Sequence, residues 1–227
     1  MKYTTALYDL DGTLLNFNLA ERQGFFESFG KHEIPCNEAI YQRYSLINDG
    51  LWKAFERGEI SKEAIGYRRF AILFEECGIY ADYTACADTY KALLAKKGIL
   101  YDGAVEHLEK LKSKGVKLYA VTNGTQHIQH SRLRVSGLDK LFLGTFVSEE
   151  TGYQKPDKEY FDFVFANIEE KDKSKIIIIG DSATSDIKGG IKAGINTCYF
   201  ASKPNSLVEP TYITDSYGEI EKIILGE

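Results

Sequence analysis

Four short segments of this 227-residue chain carry side chains that could do chemistry together. Asp9 and Asp11 stand two apart, just ahead of Gly12; Thr122 is followed by Asn123 and Gly124; Lys155 precedes Pro156; Asp181 follows Gly180, with Asp186 five residues on. Carboxylates that converge repel one another, so such a cluster needs a cation. Mg²⁺ suits it, because its shell is all oxygen: one or two carboxylates, a main-chain carbonyl, waters and a substrate phosphate. A lysine and a threonine hydroxyl beside the ion would bind phosphate oxygens, helped by main-chain N–H groups after Thr122. A carboxylate can itself attack phosphorus and form an aspartyl phosphate. Of Asp9 and Asp11, one could be that nucleophile while the other handles the leaving-group proton, since a turn at Gly12 can splay them.

Each segment alone is a weak signal. Asp-x-Asp-Gly and Thr-Asn-Gly are common turns, Gly-Asp-Ser can be a helix cap, and Lys-Pro says little. Their force lies in their order and in the elements that must hold them. Thr4 to Leu10 reads as a buried strand ending at the first aspartates. Val116 to Thr122 is an apolar strand ending at Asn123-Gly124, and Lys175 to Ile179 a β-branched strand ending at Gly180-Asp181. Further strands are expected at Phe142 to Val147, Ile195 to Phe200 and Tyr212 to Thr214. Helical periodicity marks Ala104 to Lys114, Gln126 to Ser136, Lys158 to Asn167, Ser185 to Lys192 and Tyr217 to Leu225. Strands alternating with helices imply right-handed crossovers and a parallel sheet covered on both faces. In such sheets ligands bind beyond the carboxyl ends of the strands, which is where all these residues would lie.

The stretch from 16 to 97 differs. Phe25, Phe26 and Phe29, then Ile40, Tyr44 and Ile47, then Ile65, Phe70, Leu73 and Phe74 recur at helical spacing, with no alternating strand pattern. Asn37, Ser61 and Asp82 sit where N-caps are expected, and breaks fall at Gly30 to Pro35, at Gly58 and at Gly78. The expected architecture is therefore an open, mostly parallel, Rossmann-like α/β sheet with helices on both faces. Its core spans 1–15 and 98–227, and a helical domain, 16–97, is inserted after the first strand. Trp52, within that insert, is expected to pack between helices rather than to stack on a ligand.

Composition narrows the partners. With 44% hydrophobic and 27% charged residues the chain is an ordinary globular protein rather than a disordered one. A net charge of −5 and no basic run argue against a nucleic-acid polymer as partner. No window approaches the ~18 uninterrupted apolar residues of a membrane span. No secretory signal is visible, and Cys36, Cys77, Cys86 and Cys198 form no Cys-x-x-Cys pair, so reduced, mostly buried thiols and a cytoplasmic location are expected. His127 and His130 read as a solvated helix face rather than a metal pair. No self-complementary surface is readable, which leaves the oligomeric state open.

In these residues the chain resembles the haloacid dehalogenase superfamily of phosphohydrolases. Asp9-Leu10-Asp11-Gly12-Thr13-Leu14 is similar to its first motif, Thr122-Asn123-Gly124 to the second, Lys155-Pro156 to the third and Gly180-Asp181-Ser182-Ala183-Thr184-Ser185-Asp186 to the acidic fourth. The helical insert is similar to that superfamily's small cap. The resemblance implies that Asp9 is the nucleophile and Asp11 the general acid, then base. It implies that Thr122, Asn123 and Lys155 bind phosphate. Asp9, the main-chain carbonyl of Asp11, and Asp181 would hold Mg²⁺, with Asp186 supporting the ion or Lys155. True haloacid dehalogenases and phosphonatases lack the second aspartate, so Asp11 favours phosphomonoesters. Asn48-Asp49-Gly50-Leu51-Trp52, Val147-Ser148-Glu149-Glu150-Thr151-Gly152 and Gly189-Gly190-Ile191-Lys192-Ala193-Gly194 resemble the branch that dephosphorylates pyrimidine 5′-nucleotides. The expected partner is thus a small phosphorylated metabolite. A sugar-phosphate mutase of the same superfamily remains open at this point, as does a phosphate-binding or phospho-acceptor module without turnover.

Overall fold

Runs of β-branched and aromatic residues set the central sheet. Ile176 to Ile179 are fully inaccessible, so this strand is covered on both faces. In the computed structural model, which describes residues 1–227, six strands form one sheet. They are β1 (Thr5–Tyr8), β2 (Lys117–Thr122), β3 (Gly144–Val147), β4 (Ile176–Gly180), β5 (Asn196–Phe200) and β6 (Tyr212–Thr214). Their order is β3-β2-β1-β4-β5-β6, and every pairing is parallel. The chain builds outward from β1 to β3, then crosses back to β4 on the other flank of β1. The carboxyl end of β1, beside β4, is therefore the switch point of the sheet.

The alternation of side chains along each strand sorts the core into two layers. Ala6, Tyr8, Ile177 and Ile179 face one way, with Leu108, Leu111, Ile220 and Ile224. Leu7, Ile176 and Ile178 face the other way, with Tyr160, Phe161, Val164 and Ala193. The first layer is closed by α5 (Ala104–Ser113) and α10 (Tyr217–Leu225), the second by α8 (Lys158–Asn167) and α9 (Lys188–Ala193). Two more core helices, α6 (Gln126–Ser136) and the single turn α7 (Ser148–Thr151), follow β2 and β3 directly.

The helix expected over Ser185 to Lys192 is split. Ala183–Ile187 forms a π-turn, and α9 starts only at Lys188. The Ser182 carbonyl accepts from the N–H groups of both Asp186 and Ile187, each at 3.1 Å, which widens the turn. Asp186 is carried inward by it and is wholly buried.

Contacts divide the chain into Met1–Phe17 with Gly98–Glu227, and Asn18–Lys97. The second unit is built from α1 (Phe17–Lys31), α2 (Glu38–Glu56), α3 (Lys62–Cys77) and α4 (Tyr83–Leu94). Its core is aromatic: Phe25 packs on Phe29 and Tyr44 at ring separations of 4.2 and 4.8 Å, and Phe70 lies 5.2 Å from Tyr44 and 5.5 Å from Tyr90. Asn37 caps α2 and Asp82 caps α4 through side-chain oxygens, whereas Ser61 occupies the N-cap of α3 without such a bond. Trp52 is half-buried, edge-on to Phe55 at 5.8 Å.

All four cysteines are free. Cys86 and Cys198 are buried, but Cys36 is half-buried and Cys77 exposed, so burial of the thiols is less general than the composition implied. No helix is long and apolar enough to cross a membrane.

Candidate active site

Strand register brings the chemistry-bearing segments to one level. Tyr8 pairs with both Ala120 and Ile179, so the residues after it sit beside the ends of β2 and β4. Asp9 continues the ladder by one bond, its N–H donating to the Ile179 carbonyl at 2.9 Å. The chain then turns sharply: Gly12, at φ +82°, donates its N–H to the Leu15 carbonyl at 2.9 Å.

Lys155 enters from the loop after α7. Its ammonium is buried and makes three bonds, to Asp9 Oδ1 and Asp186 Oδ1 at 2.6 Å each and to the Val121 carbonyl at 3.0 Å. Three donors thus meet three acceptors, the complete capacity of the group. Burial acts to lower the Lys155 pKa, but the charges of Asp186 and Asp9 outweigh it and hold the ammonium above its ordinary range.

Asp9, Asp181 and Asp186 present carboxylate oxygens that all lie within 4.8 Å of one another. Burial pushes the Asp9 carboxyl well above the usual carboxylate range; Lys155 opposes that rise, and Asp186 and Asp181 add to it. The Asp181 carboxyl is pushed up to about 7, first by desolvation and then by the charge of Asp186. Asp181 itself keeps solvent-accessible surface. One lysine cannot balance three carboxylates, and a divalent cation would reverse these shifts. The donor set, hard oxygen without His or Cys, fits Mg²⁺. Space is reserved for the acidic cluster as well: a Cβ on Gly12 would lie 2.1 Å from Asp181 Oδ2, and one on Gly180 2.3 Å from the Asp186 carboxylate.

Asp11 does not join this cluster. Of the four carboxylates expected to converge, three do, and the Asp11 carboxylate is turned toward α6. There it accepts from Gln129 Nε2 at 2.9 Å and from Arg132 Nη1. Gln129 and Arg132 are fully buried and were not singled out from the sequence, because polar helix residues ordinarily face solvent. Their spacing of three residues, on the face that also buries Ile128 and Leu133, is the signal that could have found them. His127 and His130 lie elsewhere on the same helix. His127 is exposed, and His130 is half-buried and pairs with Glu150 at 2.9 Å.

Thr122, at the end of β2, accepts through Oγ1 from Gln129 Nε2 at 2.9 Å and from the Gly124 N–H at 3.0 Å. The Asn123 side chain is committed to the Lys155 backbone, leaving its main chain as the part that could meet a phosphate. Asp186 touches Lys155 and also accepts from the Ser182 N–H at 3.1 Å.

An open parallel sheet with an acidic, lysine-bridged crevice at its switch point and a helical insertion after its first strand defines a Rossmann-like class of α/β protein. The family model for haloacid dehalogenase-like hydrolases matches residues 3–194, and the chain belongs to that family. It is 40% identical over 226 residues to the HAD-hydrolase YfnB of Bacillus subtilis, covering 98% of this chain and 96% of that protein. A crystal structure of YfnB bound to magnesium superposes with a TM-score of 0.92, over 99% of both chains. The pyrimidine 5′-nucleotidase PynA of Streptococcus pneumoniae is 36% identical over 225 residues, covering 97% of this chain and 94% of PynA. The pyrimidine 5′-nucleotidase YjjG of Escherichia coli is 28% identical over 227 residues, covering 99% of each chain.

Proposed function

We propose that this chain is a Mg²⁺-dependent phosphatase of small phosphomonoesters, working through an aspartyl phosphate on Asp9, with pyrimidine nucleoside 5′-monophosphates as its substrates. The observation that carries this reading is the 2.6 Å contact of Asp9 Oδ1 with the buried Lys155 ammonium, inside a cluster whose other carboxylates lie within 4.8 Å. The nucleotide preference is drawn from the names of PynA and YjjG.

Asp9 is held by main chain and by Lys155 with one oxygen left to attack phosphorus in line, forming an O–P bond as the ester P–O bond breaks. The Thr122 hydroxyl binds one phosphoryl oxygen, and Lys155, exchanging one of its three present bonds, binds another, which holds the group for attack. Asp11 gives a proton to the departing alkoxide. It then takes one from the water that attacks phosphorus and frees Asp9 with release of inorganic phosphate. Asp9, Asp181 and the main-chain carbonyl of Asp11 would hold Mg²⁺, backed by Asp186, and the ion would neutralise negative charge that builds on the phosphoryl oxygens.

The test is phosphate release from uridine, thymidine and purine 5′-monophosphates and from hexose phosphates, with and without chelator. Activity is expected on the pyrimidine nucleotides, is lost with chelator, and falls by about a thousandfold or more in Asp9→Asn. Metal-independent release, or an active Asp9→Asn protein, overturns the phosphatase mechanism. Equal turnover of purines and hexose phosphates overturns the substrate assignment alone. Isomerised hexose phosphate in place of free phosphate would make the chain a mutase.

A further inference from the structure

We propose that Gln129 and Arg132, on α6, are positioning residues for Asp11: they hold its carboxyl where it can exchange a proton with the leaving group, and they couple that placement to Thr122. The proposal rests on the phosphatase reading above and adds to it two side chains that touch no reacting atom.

Asp11 immediately precedes the left-handed Gly12 and keeps solvent access, with 29% of its side chain exposed. Such a carboxylate would sample several rotamers if nothing held it. Here both oxygens are held. Oδ2 accepts from Gln129 Nε2 at 2.9 Å and Oδ1 from Arg132 Nη1. A carboxylate has about four acceptor sites, so these two bonds fix its plane and leave the others for the reactants.

Gln129 is the hub. Its Nε2 donates to Asp11 and, at 2.9 Å, to Thr122 Oγ1, while its Oε1 accepts from Arg132 Nη1 at 3.2 Å. Turning the amide over would set its oxygen against the Asp11 carboxylate and its NH₂ against a guanidinium, so charge alone fixes its orientation. Thr122 Oγ1 also accepts from the Gly124 N–H at 3.0 Å. With both lone pairs used, the Thr122 hydroxyl proton is the capacity that remains, and it can point to a phosphate oxygen. The acid and the phosphate anchor are thereby set by one amide. Gly124 makes the room for it, since a Cβ there would lie 2.6 Å from three atoms of the Gln129 side chain. The Arg132 guanidinium lies over the Phe17 ring at 5.7 Å.

A merely structural ion pair between α6 and the β1 turn would look similar, so the test must separate the two. It compares kcat/KM, which reports the steps through phosphoryl transfer, for two substrates of wild type, Gln129→Leu, Arg132→Met and Arg132→Lys. In p-nitrophenyl phosphate the leaving group departs as a stable anion and needs no proton. In a nucleoside 5′-monophosphate it is an alkoxide that does. General-acid help is worth about 10²–10⁴ in rate. The ratio of nucleotide to p-nitrophenyl phosphate kcat/KM is therefore expected to fall about 30-fold or more in Gln129→Leu and Arg132→Met, and less in Arg132→Lys. In an Asp11→Asn background the same substitutions are expected to change that ratio less than about twofold, because the group they position is gone. Equal losses on both substrates, or the same ratio change with and without Asp11, overturn the proposal. If Arg132→Met fails to fold, the milder Gln129→Leu and its double variant decide alone. A wild-type protein that turns over neither substrate refutes the phosphatase reading instead, so the two failures are distinct.

Discussion

Asn123 grips the backbone of Lys155 from both sides. Its Oδ1 accepts the Lys155 N–H at 2.9 Å and its Nδ2 donates to the Lys155 carbonyl at 2.8 Å. An irregular loop thereby borrows the rigidity of the sheet, because Asn123 directly follows β2. The distance from Lys155 Nζ to Asp9 is thus set by two strand ends and one amide, not by the loop.

Asn123→Leu keeps the side-chain size but removes both bonds and leaves a part-buried N–H and C=O without partners. Each lost hydrogen bond costs about 1 kcal/mol net, and more where the group left behind stays dry. The expected result is a melting temperature lower by several degrees and a kcat/KM lower by about 10- to 100-fold. Calorimetry and steady-state phosphate release check it. Unchanged kinetics in a folded protein would mean that Lys155 finds its place without the clamp.

Gly12 serves the site twice, through its left-handed φ of +82° and through its missing side chain, whose Cβ would stand 2.1 Å from Asp181 Oδ2. Gly12→Ala must move either the turn or the Asp181 carboxylate. Left-handed alanine costs about 1–2 kcal/mol, which a domain of this size tolerates, so the variant is expected to fold. Its Mg²⁺ affinity is expected to drop by about 10-fold or more, in line with the effect of disturbing groups around a metal site. Isothermal titration with Mg²⁺ on wild type and variant reads this directly, and equal affinities would contradict the placement of the ion at Asp181.

The strands and the order of the helices were legible because continuous apolar runs end abruptly in Gly and Asp, and those same stops carry Asp9, Asp181 and Thr122. What escaped was decided by packing. Gln129 and Arg132 are polar residues on a helix, where solvent exposure is the default, and their spacing beside Ile128 and Leu133 is the one sequence sign that α6 turns them inward. The inward tuck of Asp186 depends on a π-turn closed by the Ser182 carbonyl, a local choice that apolar periodicity does not encode. Asn48, read from the sequence within a segment resembling pyrimidine nucleotidases, is 1% exposed, bonded to Glu21 and Arg69 inside the helical unit.

Lys155 is the one cation bonded within the acidic cluster, so Lys155→Met leaves Asp9 and Asp186 facing each other in a dry site. Breaking a buried ion pair on one side costs about 3–5 kcal/mol, or a fall of roughly 10 °C in a chain of this size. Millimolar Mg²⁺ should restore much of that loss, and should raise the melting temperature of the variant more than that of wild type, since the freed carboxylates gain a cation. A chelator should reverse both gains. A variant whose melting curve ignores Mg²⁺ would show that the three carboxylates do not hold the ion.

Glu21 gives the helical unit a pH dependence of its own. It is 2% exposed, accepts from Asn48 Nδ2 at 2.8 Å and Tyr41 Oη at 3.3 Å, and reaches Arg69 only through Asn48. Its carboxyl is pushed up to about 7, first by desolvation, with Arg69 opposing and Asp49 adding. The folded protein therefore binds this proton more tightly than the unfolded chain does. Its contribution to stability is present in full below the ordinary carboxylate pKa and is lost as pH rises toward 7. At about 1.36 kcal/mol per pH unit, the whole effect amounts to about 3 kcal/mol at most. Glu21→Gln keeps the acceptor for Asn48 and cannot ionise. Its melting temperature relative to wild type should therefore climb between pH 5 and 7 by about 5–10 °C and then level off. Taking the difference between the two proteins cancels every other titrating group. Parallel melting curves across that range would show that Glu21 ionises in the folded protein as it does in water.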